Sequence, residues 1–210
     1  MPDDRALFFE KIPEARSRVA YFDRYAEQLQ EMQNKINLIG SSTLPRLWLR
    51  HFLDSAQLLP RIADPQNKIL LDIGSGAGFP GLVLAILGVG QVHLVESTKK
   101  KADFLRRVSH ETACHDRIQV HSERIEALES FHVDIITARA CASLEQLLQW
   151  ILPFLHEQTQ CLFLKGQRAE EETQRALKNW EFDLKVYPSL SDCRGSILHM
   201  KQIQQKTCAH

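Results

Sequence analysis

The sequence predicts an α/β fold with a mostly parallel sheet, closed by one antiparallel strand at its C-terminal end and preceded by a helical extension. Three observations predict it. Apolar runs at residues 69–73, 91–95, 118–121, 133–138 and 161–164 alternate with stretches of helical character, the pattern of a parallel sheet covered on both faces. The first run leads straight into the turn DIGSGAGFPG at residues 72–81, an acid at a strand end followed by glycines at every second position. The last two strand-like runs, 182–187 and 196–203, are joined only by the short loop PSLSDCRG, which favours an antiparallel pair.

The extension comes first in the chain. Val19, Phe22, Ala26, Leu29, Ile36 and Ile39 recur at helical spacing, and Leu44, Leu47, Trp48, Phe52, Ser55, Leu58, Leu59 and Ile62 repeat the pattern. Ser41, Ser42 and Thr43 offer caps before Pro45, which suits a helix start. Pro60 and the segment Asp64-Pro65-Gln66-Asn67 then break the periodicity, so the boundary falls between a helical extension, 1–66, packed on the core, and a core, 67–210. Within the core, helices are expected at 81–87, 98–110, 144–151 and 167–180.

Composition excludes several classes. The chain has 210 residues, enough to bury a substantial core. Its 26 Lys and Arg balance 26 Asp and Glu, so any electrostatic footprint for a nucleic acid must be local. Cys114, Cys141, Cys161, Cys193 and Cys208 are odd in number and contain no C-x-x-C pair. That argues for a reducing compartment and against a disulfide framework or a metal site. Neither a signal-peptide core nor a membrane-length apolar run is present, and the expectation is a cytoplasmic protein that does not enter a membrane.

The glycine turn carries the chemistry. Gly74, Gly76 and Gly78 lack a Cβ, so the backbone can take positive φ and present its amides to a ligand. Pro80 suits the first turn of the helix that follows. A ligand would then lie at the carboxyl end of the first strand, the binding edge of an open α/β sheet. Two ligand classes compete. Gly76, Gly78 and Gly81 satisfy G-x-G-x-x-G, with Glu96 ending the next strand, which would suit a nicotinamide dinucleotide. From Asp72 onward, D-x-G-x-G-x-G instead resembles the first motif of class I S-adenosylmethionine-dependent methyltransferases, Rossmann-like proteins whose sheet ends in an antiparallel strand. In that family the turn holds the amino-acid end of the cofactor, and a second acid, here Glu96, binds the ribose diol, from which a carboxylate accepts two hydrogen bonds.

Further segments narrow the resemblance. NKINLIGS (34–41), RHFLDS (50–55), DIGSGAGFPG, VESTKKKADFLRRV (95–108), SERIEAL (122–128), ARACASL (138–144) and FLKG (163–166) stand in the order of one family. Over residues 34–166 the chain resembles the bacterial 16S ribosomal RNA guanine-N7 methyltransferases, also called glucose-inhibited division protein B. The resemblance implies S-adenosyl-L-methionine as cofactor and 16S ribosomal RNA or the small ribosomal subunit as partner, with N7 of one guanine in the 530 loop as methyl acceptor. It also implies cofactor contacts for Gly74, Phe79, Ile125, Glu126 and Arg139. The competing readings are an NAD(P)-dependent oxidoreductase of similar fold and a non-catalytic, nucleotide-responsive partner protein.

No catalytic residue is assigned firmly. His51 and Asp54 stand three apart, neighbours on one helix. They form either a core histidine with its acid or one wall of the base pocket. Lys99, Lys100, Lys101, Arg106 and Arg107 form the densest basic cluster, a solvated face or a phosphate contact, which Arg46, Arg50 and Arg61 would extend. Arg139 closes the fourth strand in TARACAS, where methyltransferases of exocyclic amines usually carry an Asn- or Asp-Pro-Pro-aromatic motif. That chemistry is therefore disfavoured, and the arginine is available to pair with a cofactor carboxylate or a phosphate. Cys141 reads as a small packing residue rather than a covalent nucleophile. Lys165, ending the fifth strand, faces the substrate opening or starts a helix at the surface.

Overall fold

A computed structural model describes residues 3–206. Cys208 lies outside the described residues. The seven strands are β1 (Ile69–Ile73), β2 (Gln91–Val95), β3 (Ile118–His121), β4 (Ile135–Arg139), β5 (Gln160–Lys165), β6 (Trp180–Pro188) and β7 (Ser196–Gln205). They form one sheet in the order β3-β2-β1-β4-β5-β7-β6. β1 to β5 pair in parallel, and β7 lies antiparallel to both β5 and β6. The expected antiparallel pair is therefore present, with the last strand inserted inside the sheet.

Successive residues face opposite sides, as strand geometry requires. Leu70, Leu94, Ile135, Leu162 and Ile197 face one apolar cluster, whereas Leu71, Val95, Ile136, Phe163 and Leu198 face the other. The helices are α1 (Asp4–Lys11), α2 (Val19–Ile36), α3 (Asp54–Ala56), α4 (Gly81–Ile86), α5 (Lys99–Glu111), α6 (Leu144–Ile151) and α7 (Ala169–Ala176). α6 and α7 cover the second cluster; α4, α5 and the N-terminal helices cover the first. The expected helix at 167–180 is shorter, because Trp180, only 2% exposed, begins β6 instead.

α2 carries Phe22, Tyr25, Ala26 and Leu29 on its buried face. It ends at Asn37, whose φ of 44° is the left-handed conformation that helix termini favour. The Gln33 side chain fixes the exit, since its Oε1 accepts from the Leu38 and Ile39 amides, both at 3.0 Å. Ile39 thus lies in a loop rather than on the helical stripe that its spacing suggested.

The second expected helix of the extension is replaced by a series of turns. Ser41–Arg46 and Leu59–Arg61 are 3-10 turns, and Trp48–Leu53 is a π-helical turn leading into α3. Gly40, not a serine or threonine, occupies the cap position before Ser41, and no side chain caps that turn. The expected capping role of Thr43 is taken up elsewhere: its hydroxyl donates to the Gly40 carbonyl at 2.8 Å and meets His51. π-helical turns are rare and often occur at functional sites; here the turn contains His51.

Phe8, Phe22, Trp48 and Phe52 pack against one another, and Tyr25 stacks on Phe79 of the glycine turn with ring centroids 5.4 Å apart. Tyr25 and Phe52 are fully buried there. The extension is thereby joined to the segment that carries the candidate site.

Candidate active site

The turn after β1 is set from beneath by Asp72. Its carboxylate is fully buried, accepting from the Thr137 hydroxyl of β4 at 2.7 Å and from the Gly81 amide at 3.2 Å. Burial raises its pKa from the ordinary 3.8 to about 6 against these hydrogen bonds. Gly74, Gly76 and Gly78 have φ of 65°, 57° and 100°, so all three use the freedom that glycine alone has without strain. Tyr25 Oη donates to the Ala77 carbonyl, holding the turn from the other side.

This turn is one wall of a cavity of about 490 Å³ at the carboxyl ends of β1, β2 and β4. Gly74, Gly76, Phe79, Glu96, Ile125, Glu126 and Arg139 all line it, brought together from well-separated stretches of the chain. Asp72 and Gly78 do not line it. Asp72 lies under the turn, and a Cβ on Gly78 would meet the Tyr25 hydroxyl and Leu82 rather than open space. In the structure both positions support the turn from within. A Cβ on Gly76, by contrast, would have nothing closer than the Gly74 carbonyl at 3.8 Å and would project into the cavity.

Glu96 closes the cavity at the end of β2. Its Oε2 accepts from the Gly76 amide at 3.0 Å and its Oε1 from the Thr98 amide at 2.7 Å. Each carboxylate oxygen retains a further lone pair for a hydroxyl donor. Ile125, 5% exposed, supplies an apolar surface, and Glu126 lies beside it, paired with Arg124 at 3.1 Å.

Arg139 stands between this cavity and a second one of about 380 Å³, and Leu38, Ile39 and Ala140 also line both. The guanidinium is held by the extension. Nη1 donates to the Arg50 carbonyl at 3.0 Å and to Asp54 Oδ2 at 3.3 Å, and Nη2 meets His51 Nδ1 at 2.8 Å. Its carbon lies 5.0 Å from the Phe79 ring centroid, within cation–π range.

The protons in this chain have one consistent arrangement. Arginine only donates, so His51 Nδ1 accepts. The Thr43 hydroxyl gives its proton to Gly40, so it accepts from His51 Nε2, 2.8 Å away. His51 is therefore neutral with its proton on Nε2. Burial, followed by the charges of Arg139 and Arg50, lowers its pKa to about 3, in agreement with that form. His51 and Asp54 do not pair with each other as sequence spacing suggested; they share Arg139.

Arg50, His51, Asp54 and Lys165 line the second cavity with the Ser189–Ser196 segment. Asp54 Oδ1 accepts from Gln57 Nε2 at 3.0 Å and from the hydroxyls of Ser189 and Ser191. Lys165 Nζ donates to the Ala142 carbonyl at 2.7 Å and pairs with Glu172 at 2.9 Å, its side chain 7% exposed. It faces the cavity rim as a paired cation rather than a free surface group. Cys141 lies beside Gly74 but is exposed rather than the packing residue expected; desolvation by the surrounding chain, then the Asp72 charge, pushes its thiol up to about 11, so it is not a ready thiolate.

The expected basic face is neutralised only at its two arginines, and among the described residues Lys99, Lys100 and Lys101 form no salt bridge. Arg106 pairs with Asp103 at 2.9 Å and Arg107 with Glu111 at 3.3 Å, while Lys101 lines the first cavity. Arg46 pairs with Asp4 and Arg50 with Asp192, so these two do not extend a free cationic surface. Among the described residues no group of three or more His, Cys, Asp or Glu gathers to hold a metal ion. No helix among them is long and apolar enough to cross a membrane.

Sequence reasoning gave no site role to Leu38, to Ile39 and Thr43, which read as helix stripe and cap, or to Ser189 and Ser191, which read as a linker. Each reaches the site only through the tertiary fold.

Residues 18–203 match the family model described as rRNA small subunit methyltransferase G. The chain belongs to that family. It is 45% identical over 198 residues to the ribosomal RNA small subunit methyltransferase G of Rhodospirillum rubrum, covering 94% of this chain and 97% of the relative. The same enzyme of Paramagnetospirillum magneticum is 46% identical over 181 residues, 86% and 87% of the two chains. Among solved structures, an S-adenosylmethionine-dependent methyltransferase fold from Methanococcus maripaludis superposes with a TM-score of 0.62 at 13% identity, covering 87% of this chain and 94% of that one. The ribosomal protein L11 methylase of Lactobacillus delbrueckii gives 0.59 at 17% identity, covering 80% and 81%. The fold is that of the class I S-adenosylmethionine-dependent methyltransferases, and family and fold together identify an S-adenosylmethionine-dependent enzyme. The cavity fits that cofactor: it has a glycine cradle that a Cβ at Gly76 would fill, a carboxylate at the β2 end and an apolar floor at Ile125.

Proposed function

We propose that this protein transfers a methyl group from S-adenosylmethionine to N7 of a guanine in small-subunit ribosomal RNA, in the 530 loop. The observation that carries this reading is the junction of two cavities across Arg139, one built on the glycine turn and one open beside it. In the first, the Gly76 amide is given to Glu96, so the glycine-turn carbonyls and Glu96 itself would hold the amino-acid and ribose ends of the cofactor, and Ile125 would lie against its adenine. The bound cofactor supplies a methyl group activated by a sulfonium.

Guanine N7 has an in-plane lone pair and no proton, so its attack needs no general base. The second cavity suits such an acceptor. His51 is neutral with both nitrogens engaged, Asp54 accepts several hydrogen bonds, and Lys165 and Asp192 are paired. None of these groups is free to remove a proton. Their work is to shape the walls, hold Arg139 at the junction and exclude water, so that the nucleophile is aligned with the methyl–sulfur bond. Sequence-selective reading of RNA favours an unstacked base, and a cavity of this kind takes a guanine turned out of its loop.

The test is transfer of labelled methyl to ribosomal RNA, naked or in small subunits, from cells lacking the protein, followed by mapping of the modified base. Label at N7 of one guanine in the small-subunit RNA is expected. Label on another atom or base overturns the assignment, and binding of NAD but not S-adenosylhomocysteine overturns the enzyme class.

A further inference from the structure

The outermost strand, β6, and its neighbour β7 form a further cleft, of about 380 Å³, away from the two cavities described above. Lys185, Tyr187, His199 and Lys201 line it. Their placement follows from register: Lys185 is opposite His199, and Tyr187 lies two residues from Lys185 on the same face. The Arg61 guanidinium covers the Tyr187 ring at 4.3 Å.

The cleft has an excess of positive charge. Among the described residues, Lys185, Lys201 and Arg61 form no salt bridge; Arg61 donates only to the Gln57 carbonyl at 2.6 Å, and its buried Nε has no partner. Asp183, opposite Lys201 in the strand register, is the one acid lining the cleft. His199 Nε2 meets Gln160 Oε1 at 2.7 Å, where only a donated proton makes a bond, which leaves Nδ1 as a buried lone pair without a partner. Burial, and then Lys201, Lys185 and Arg61, hold the pKa of His199 below its ordinary value, so the three cations all act on this ring. Three cations against one acid, beside an aromatic ring, are the recognition chemistry of a nucleic-acid backbone.

The cleft is also joined to the base cavity. Gln57 accepts the Arg61 bond through its carbonyl, donates to Ser189 Oγ at 3.1 Å, and accepts from the Leu190 amide at 2.7 Å. Ser189 lines the cavity beside Arg139 and is two residues from Tyr187, a separation of roughly 7 Å in extended chain. We infer that the β6–β7 cleft at Arg61, Lys185, Tyr187 and Lys201 binds backbone phosphates of the substrate RNA flanking the target nucleotide. This rests on the ribosomal RNA reading above and assigns to it a contact surface outside the cofactor cavity.

The test is a Lys185→Glu/Lys201→Glu variant, with Lys185→Arg/Lys201→Arg as control, in methyl transfer to small subunits and to naked 16S RNA. The expected result for the charge-reversed protein is a KM for RNA raised roughly tenfold or more, and a salt dependence of log K shallower by about two, one for each phosphate no longer neutralised. S-adenosylhomocysteine affinity and thermal midpoint should match the parent, which separates this effect from misfolding, and the arginine control should keep the parental KM and slope. Unchanged KM and slope in the charge-reversed protein, with methyl transfer retained, overturn the cleft assignment and leave the proposed activity standing. No transfer by the parent protein overturns the activity itself. Titration with inorganic phosphate, followed through the His199 ring resonances, provides the remaining arm. Saturation by phosphate together with unchanged RNA kinetics in the variant means a small-anion site and refutes RNA binding there.

Discussion

Replacing Asp72 with Asn tests how the glycine turn is held. In the folded protein the carboxyl has a pKa of about 6 against an ordinary 3.8, with burial the leading cause. Between those values the native state binds a proton that the unfolded chain has released. Stability from this group is therefore fully present below about pH 4 and is lost as pH rises through about 6. At about 1.4 kcal/mol per pH unit, the gap amounts to about 3 kcal/mol. An amide can replace the protonated acid, because its oxygen can accept from Gly81 and its NH2 can donate to Thr137, whose hydroxyl both donates and accepts. Asp72→Asn should therefore fold, and its stability should lack this component.

Urea denaturation of both proteins from about pH 4 to about pH 7 measures the difference. His51 and His93, with pKa values lowered to about 3 and about 4 chiefly by burial, act in the opposite direction, adding stability as pH rises toward their ordinary 6.5. They are present in both proteins and cancel. The variant should gain about 3 kcal/mol relative to the parent across that range. Parallel profiles would falsify the placement of the raised pKa at Asp72.

Three further substitutions follow from the site. Gly76→Val puts a branched side chain into the cofactor cradle at φ 57°, so calorimetry should find no S-adenosylhomocysteine binding, while the backbone strain costs about 1–2 kcal/mol in urea; near-parental affinity contradicts the cradle. Tyr25→Phe leaves the Ala77 carbonyl without its donor and should lower stability by about 1–3 kcal/mol, with weaker cofactor binding. Unchanged values for both show that the hydroxyl does not hold the turn. His51→Phe keeps a ring but removes both bonds of the Thr43–His51–Arg139 chain, so kcat/KM should fall about ten- to hundredfold with the fold retained. His51→Gln, which can donate and accept, should recover part of it, and equal activity in the two variants refutes a positioning role.

The sheet was legible because its signals are local. Each of the first five strands is a short apolar run bounded by breakers, and the glycines of the turn have few uses other than positive φ. Glu96 and Arg139 were legible because they stand at strand ends, where an α/β sheet binds its ligand, whereas Ile125 came only from the family resemblance. What was not legible depends on partners distant in sequence. The stripe from Leu44 to Ile62 looks like one helix, yet burial against the turn imposes 3-10 and π geometry instead. Asp72 reads as a ligand contact by motif, but its orientation beneath the turn follows from Thr137, 65 positions away. The neutralisation of Arg46 and Arg50 likewise depends on Asp4 and Asp192, which no window of sequence brings near them.

The insertion of β7 between β5 and β6 has a consequence for how the molecule reaches its native state. β5 and β6 do not pair with each other, so until residues 196–205 arrive each offers an open row of backbone groups to any passing strand. The last strand among the described residues is thus a seam rather than an edge, and its pairing with β5 closes the loop between Lys165 and Ser196. The segment that delivers it, through Ser189, Ser191 and Asp192, is also a wall of the cavity beside Arg139. A chain that has not completed its sheet therefore lacks one wall of the second cavity.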